Sequence, residues 1–210
     1  MRVCAISDLH GKLPNPTDIP ACQVLIISGD LCPDIPFHQA LNDPELMRLR
    51  QMDWLRTTYS AWEKHVPASH IIMTPGNHDW VTYLPENCRT VFLVDEDFVL
   101  NARRFWCTPW SEPYGDFNWQ ASPERRREAF AMIPMDVSVI IAHAPPKGIL
   151  DTTYYGIQAG CPEFLAICKA RHARHVTFGH IHEGKRFGAS KFIDGTYYHN
   201  VAQTYVEFDL

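Results

Sequence analysis

The chain has 210 residues, 46% hydrophobic and 20% charged, with a formal net charge of -5. That length suits one compact domain, or at most two small ones, and this balance excludes a disordered or fibrous chain. The acidic total and the absence of a long basic block exclude a dedicated duplex-DNA surface, which needs a larger cationic footprint.

The first residues, MRVCAISDLH, enter an apolar run at once, Val3 to Ile6, without the long apolar core of a signal peptide. Asp8-Leu9-His10 follows it. A second run, Val24 to Ile27, precedes Ser28-Gly29-Asp30. Asp43-Pro44-Glu45 reads as an N-cap with proline at the first helical position. Behind it Leu46, Leu49, Met52, Leu55, Tyr59 and Trp62 recur every three or four residues, one stripe to bury. Ile71 to Met73 precedes Pro75-Gly76-Asn77-His78-Asp79. Ser122-Pro123-Glu124 opens a second helix ending near Pro134, with Arg125-Arg126-Arg127 as its solvated face. Val137 to Ala142 leads into His143-Ala144-Pro145-Pro146. Cys161-Pro162-Glu163 opens a third helix, to about Arg174, with Phe164, Leu165 and Cys168 inward. Val176 to Phe178 precedes Gly179-His180-Ile181-His182, and from Arg186 short alternating segments around Gly188 and Asp194-Gly195 read as β-hairpins.

No stretch is long and apolar enough to span a bilayer. The seven cysteines are an odd, scattered set with no CxxC pair, several of them inside apolar runs, so they read as free thiols acting as small hydrophobes. A reducing, cytoplasmic setting is the expectation.

Five times an Ile- and Val-rich run reads as a buried strand, and five times a metal-capable side chain follows it. Ligands in α/β folds sit beyond the carboxyl ends of strands, which is where these residues fall. In FGHIHEG, residues 178–184, an extended backbone sends His180 and His182 to one side, their Cα atoms roughly 6–7 Å apart. Two such imidazoles can share one metal or straddle two ions held roughly 3.5–4 Å apart. Asp8 and His10 repeat that spacing. Asp30 follows a glycine, which lets backbone and ion approach closely. Oxygen and nitrogen donors without thiolate suit manganese foremost, with iron, zinc, nickel or cobalt also compatible. A water between two such ions loses a proton near neutral pH and becomes a nucleophile, while a histidine beside a carboxylate can protonate the leaving oxygen.

The motifs DLH, GD, GNHD, AHAPP and GHIH, in this order, resemble the calcineurin-like metallophosphoesterase superfamily over residues 1 to about 202. AHAPPKGILD and HVTFGHIHEG are most similar to its small metallophosphoesterase-domain branch, near the class III cyclic-nucleotide phosphodiesterases. The resemblance implies one domain, 1–210, built as a four-layer α-β-β-α sandwich of two mixed sheets flanked by helices. It assigns Asp8, His10 and His182 to one divalent ion and Asn77, His143 and His180 to a second, with Asp30 bridging. It makes His78 the phosphoryl contact and proton donor, with Asp79 orienting that imidazole, and Asn77 a substrate contact. The implied activity is phosphodiester hydrolysis by a metal-bridging hydroxide, cyclic nucleotides included. The alternatives are a phosphomonoesterase or a nuclease of the same superfamily, or a non-catalytic scaffold on the same fold.

The expected partner is a small phosphoester, a nucleotide by preference, with no membrane partner and an oligomeric state left open. The segment Trp106 to Trp119 is rich in aromatics, whose faces can stack a base or pack a core. Trp110, Tyr114 and Phe117 are the candidates for the base. His38, His65, His70, His172, His175 and His199 read as surface or structural histidines, with His199 also open to a supporting role behind the ligands. Glu183 and Gly184 read as turn-shaping.

Overall fold

A computed structural model describes residues 1–34 and 43–210; His38 lies outside the described residues. Two mixed sheets form. The first takes β1 (Arg2–Ile6), β2 (Cys22–Ser28), β3 (Ala68–Thr74), β4 (Val91–Phe92) and β11 (Tyr205–Asp209) in the order β11-β1-β2-β3-β4, parallel except for β11. The second takes β5 (Glu96–Leu100), β6 (Arg103–Thr108), β7 (Val139–Ala142), β8 (His175–Phe178), β9 (Ser190–Ile193) and β10 (Thr196–Asn200) in the order β5-β6-β7-β8-β10-β9, with antiparallel edges.

Alternation along each strand divides the interior into three apolar layers. Val3, Ala5, Val24, Ile26 and Ile72 face Phe105, Val139 and Ile141 between the sheets. Cys4, Ile6, Leu25, Ile27 and Met73 point the other way, onto the helix α1 (Pro44–Trp54) and its continuation through a wider turn, Leu55–Tyr59, into Ser60–Glu63. Ile140, Ala142, Val176 and Phe178 meet α2 (Pro123–Ala131) and α3 (Pro162–Arg171) through Phe130 and Phe164. Strands buried on both faces are why their sequences read as unbroken apolar runs. The expected four-layer sandwich is present. Among the described residues no helix is long and apolar enough to cross a membrane.

Several expectations need correction. Leu49 is 53% exposed, so the buried stripe of α1 begins at Gln51 and Met52. The third helix stops at Arg171 rather than Arg174, because His172 turns left-handed at φ 51° and ends it. Arg126 does not belong to a solvated face: it is 2% exposed, donates to Glu163 (2.9 Å), Glu112 (3.2 Å) and the Ala121 carbonyl (2.7 Å), and ties α2 to α3. Trp106, the first residue of the aromatic segment, sits in β6. The β5–β6 hairpin turns on Asn101 and Ala102, both left-handed, and alanine there hides the usual turn signature. All seven cysteines are free, and six of them are buried.

His175 and His199 stack in parallel between the sheets, Nδ1 to Nε2 at 3.0 Å, with Phe208 of β11 4.1 Å from the His175 ring. His199 is therefore structural, bonded also to Ser190 at 2.7 Å. Burial, aided by neighbouring His199, pushes His175 down to about 4, and burial brings His199 to about 4. An unfolded imidazole titrates near ~6.5. Below that pH the unfolded chain takes up protons that the folded chain refuses, so stability held above ~6.5 is lost as pH falls towards 4. Urea unfolding at pH 7.5 and pH 5.0 should show this loss in the wild type and a loss smaller by about 1 kcal/mol in His175→Phe, which keeps the stack. Equal losses in the two proteins would show that this pair carries none of the pH dependence.

Candidate metal centre

The loops after β1, β2, β3, β7 and β8 converge at the carboxyl edges of the two sheets. Asp8 and Asp30 are each 2% exposed, and His143 is fully buried. The backbone N–H of His180 donates to both Asp8 oxygens at 3.1 Å, and His182 Nε2 approaches Asp8 Oδ1 at 3.1 Å. The His78 N–H donates to Asp30 Oδ1 at 2.8 Å, leaving Oδ2 facing His143 Nε2 at 3.3 Å and His10 Nε2 at 3.8 Å. Asn77 Oδ1 lies 2.8 Å from both His143 Nε2 and His180 Nδ1. All seven sequence-expected ligands thus crowd one locus, with Asp30 Oδ2 between the two groups.

Close approach is built into the backbone. A Cβ on Gly179 would lie 1.9 Å from Asp8 Oδ2, so any other residue would push the carboxylate out. Gly29, at φ +94°, clears space for the His143 ring, whose Nδ1 would be 2.4 Å from an added Cβ. That glycine makes room for an imidazole rather than for an ion as such. Asp8, His10, Asp30 and His180 are themselves left-handed, with φ of 56°, 46°, 52° and 67°. Asp and His tolerate this region better than most residues, yet each such residue costs on the order of 1–3 kcal/mol, and such strain gathers at functional sites.

The imidazoles are oriented from behind. His143 Nδ1–H donates to the Ser28 carbonyl at 3.0 Å, which presents Nε2 to the site. The amide of Gln203 caps His182 Nδ1 at 3.2 Å. Both His10 nitrogens are buried without a well-directed hydrogen bond, although Nδ1 is 3.0 Å from Asp34 and Nε2 faces Asp30. Undirected buried nitrogens beside two desolvated carboxylates are what a cation-binding donor set requires.

The charges agree. Burial opposes ionisation of Asp8, but the hydrogen bond from His182 and the charge of His143 outweigh it and lower its pKa. Burial likewise opposes Asp30, and His143 overcomes it, holding that carboxyl far below the carboxylate range. For His143, burial is outweighed by Asp30, raising it to about 9. His180 is pushed down to about 4 by burial and by the His143 charge. Among the described residues, three carboxylate and imidazole groups have donor atoms close enough to hold an ion here: Asp8, His10 and His182; Asp8, Asp30 and His143; His10, Asp34 and His78. A fourth, Glu112, Cys161 and Glu163, already has the Arg126 guanidinium as its cation.

His78 is at the mouth, and its partner is not the expected one. Asp79 does not orient the ring: its carboxylate, 0% exposed, accepts the N–H groups of Gly76, Cys32 and Leu31 and so pins the loops together. Asp34 holds His78 Nδ1 instead, at 2.6 Å, and also approaches His10. Burial alone would lower the His78 pKa, but the Asp34 hydrogen bond and the Asp30 charge raise it. Gln51 of α1 clamps the same loop, donating to the His78 carbonyl at 2.8 Å and accepting from Trp80 N–H at 2.7 Å. Asp34, Gln51 and Gln203 are the supporting residues that sequence reasoning missed. The carboxylate four residues after Asp30 was the one visible signal.

Of the aromatic candidates, Phe117 packs against the His78 ring at 4.7 Å. Trp110 donates its indole N–H to Asp95 at 2.8 Å and lies under Arg125. Tyr114 is 79% exposed. Asn118 ties this segment to the site, its N–H donating to the Asn77 carbonyl and its amide to the Asp79 carbonyl, each at 3.0 Å.

The family description calcineurin-like phosphoesterase matches residues 1–184. Metallophosphoesterase domain-containing protein 1 of Homo sapiens is 32% identical over 211 residues, covering 87% of this chain; the chain spans 61% of that relative's length. A UPF0046 protein of Caenorhabditis elegans is 33% identical over 111 residues, 50% of this chain and 28% of its own. A solved structure superposes with a TM-score of 0.68 at 14% identity, over 99% of this chain and 94% of that one. The phosphopantetheinyl hydrolase of Mycobacterium tuberculosis does so at 0.58 and 15% identity, over 95% and 88%. A family that implies a dinuclear divalent centre and the clustered histidines and aspartates agree, and the chain, similar to the metallophosphoesterase domain-containing proteins, belongs to the calcineurin-like phosphoesterases.

Proposed function

We propose that this chain, one domain over residues 1–210, is a two-metal phosphodiesterase, with a cyclic nucleotide among its substrates and manganese as its ion. Asp8, His10 and His182 would hold one ion and Asn77, His143 and His180 the other, with Asp30 shared between them. The observation that carries this reading is Asp30: one oxygen is locked by the His78 N–H, and the other faces the His143 and His10 nitrogens at 3.3 and 3.8 Å. Bound divalent ions supply charge neutralisation at the phosphoryl oxygens and an activated water. Asn77 fixes its amide between two imidazoles while its neighbour His78 meets the phosphoryl group. His78, held at Nδ1 by Asp34, keeps Nε2 for proton donation to the leaving oxygen. Phe117 walls that imidazole. The free cysteines are in keeping with a cytoplasmic enzyme.

Protein reconstituted with Mn²⁺ should carry two ions per chain and hydrolyse bis(4-nitrophenyl) phosphate and 2′,3′-cyclic nucleotides, and a chelator should abolish both. Asp30→Ala should lose metal and activity together. Full turnover after exhaustive chelation would refute the metal reading, and binding of Mn²⁺ with no ester cleaved would favour a scaffold.

His78→Ala should keep both ions but lose about 10²–10⁴ in kcat, most with poor leaving groups. Asp34→Asn should keep metal too and lose about 10-fold in kcat, partly recovered in Asp34→Glu. Undiminished kcat in either variant on a natural ester would remove that residue from proton transfer.

A further inference from the structure

A cleft of about 830 Å³ opens beside the metal centre, and its lining joins Asp8, His10, His182, Asp34 and His78 to residues with no role so far. Leu9 and Ile19 add apolar lining, Tyr205 at the start of β11 lines it half-exposed, and the exposed Lys12 and Asp18 bring opposite charges to it. None of Trp110, Tyr114 and Phe117 lines it.

We infer that this cleft, on the His10–His182 flank, is the seat of the substrate's organic group, a flat, neutral, nucleobase-like heterocycle packed on Tyr205. The inference rests on the phosphodiesterase reading above, since it places the alcohol that takes the His78 proton. That alcohol must face the imidazole, and His78 is one of the residues that line this cleft. The volume is sufficient for a nucleotide, in the range of small-molecule pockets. A cation and a carboxylate on the same rim suit a group that both accepts and donates hydrogen bonds. They do not suit a second phosphate, which Asp18 would repel. The half-exposed Tyr205 ring offers a stacking face, and Leu9 and Ile19 give the same cleft an apolar lining. The expected base contacts of the 106–119 segment are thereby replaced by residues from the two ends of the chain, brought together where β11 pairs with β1 and Ile6 lies opposite Tyr205.

The test uses full-length, Mn²⁺-loaded protein hydrolysing bis(4-nitrophenyl) phosphate, with adenosine monophosphate and inorganic phosphate as competing inhibitors. Tyr205→Ala should weaken inhibition by the nucleotide about 10-fold and leave inhibition by phosphate unchanged. Tyr205→Phe, which keeps the ring, should stay within about 2-fold of wild type, and exposed Lys12→Met should weaken the nucleotide about 3-fold. Unchanged nucleotide inhibition in both Tyr205→Ala and Lys12→Met, with phosphodiesterase activity intact, overturns the inference alone. So does its loss in Tyr114→Ala or Phe117→Ala instead. If Tyr205→Ala fails to fold, the Lys12→Met and Tyr205→Phe pair decides. Wild-type protein that binds Mn²⁺ but cleaves no diester overturns the functional reading and this inference with it.

Discussion

Two ionised carboxylates, Asp8 and Asp30, lie buried where the sheets meet, and the surrounding structure is arranged around keeping them charged. Isolated ionised groups at 2% exposure are strongly disfavoured. Their compensation comes from backbone donors, the N–H groups of His180 and His78, and from imidazoles carried by the opposite sheet. Asp8 and Asp30 follow β1 and β2 of the first sheet, whereas His143, His180 and His182 follow β7 and β8 of the second. Neither sheet can hold its charges without the other. The Ser28–Thr177 hydroxyl pair at 3.0 Å and the His143 bond to the Ser28 carbonyl stitch the sheets just beneath the site. The packing of the sandwich and the geometry of the donor set are therefore one constraint.

That constraint also explains the division of labour between Asp79 and Asp34. Three backbone N–H groups converge on Asp79 and hold the loops after β2 and β3 in register. A carboxylate so occupied is unsuited to a second task on the imidazole next to it in sequence. Asp34, half-exposed and carried by the loop beyond Asp30, reaches both His10 and His78. One residue thus couples an imidazole of the ligand set to the imidazole at the mouth, and the rings of Phe117, His78, His10 and His182 follow one another at 4.7, 4.8 and 5.4 Å along the opening.

The ends of five strands are legible in the sequence because buried parallel strands leave unbroken apolar runs, and metal-capable side chains follow each run directly. The seven clustered donors are legible for the same reason. What is not legible depends on contacts distant along the chain. Nothing local distinguishes Arg126 from Arg125 and Arg127, yet of the three only Arg126 is buried, its guanidinium 2.9 Å from Glu163. Gln51 reads as a polar residue on a helix and proves to hold the His78 loop. Gln203 sits behind His182, 21 residues away in sequence. Sequence proximity also misleads outright: Asp79 is next to His78, while the carboxylate that bonds it is 44 positions earlier. The hairpin at Asn101-Ala102 escapes notice because its turn uses alanine at positive φ, where glycine is the usual marker.

Four of the seven clustered donors sit in the left-handed region, and that links ligand binding to stability. Strain of on the order of 1–3 kcal/mol at each of Asp8, His10, Asp30 and His180 persists only where surrounding contacts over-determine the backbone. Hydrogen bonds such as Asp8 N–H to Gly29 and His10 N–H to Asp30 do this, running between the loops after β1 and β2 rather than within either. Any cation that binds these donors binds the folded chain alone, because the unfolded chain cannot gather five separate loops. At a free concentration 100-fold above its dissociation constant it would add about 2.7 kcal/mol to the folded state, comparable to the strain at one or two of these residues. The strained loops are therefore the part of the fold whose stability responds most to the cation, even though the three apolar layers that position them are complete without it.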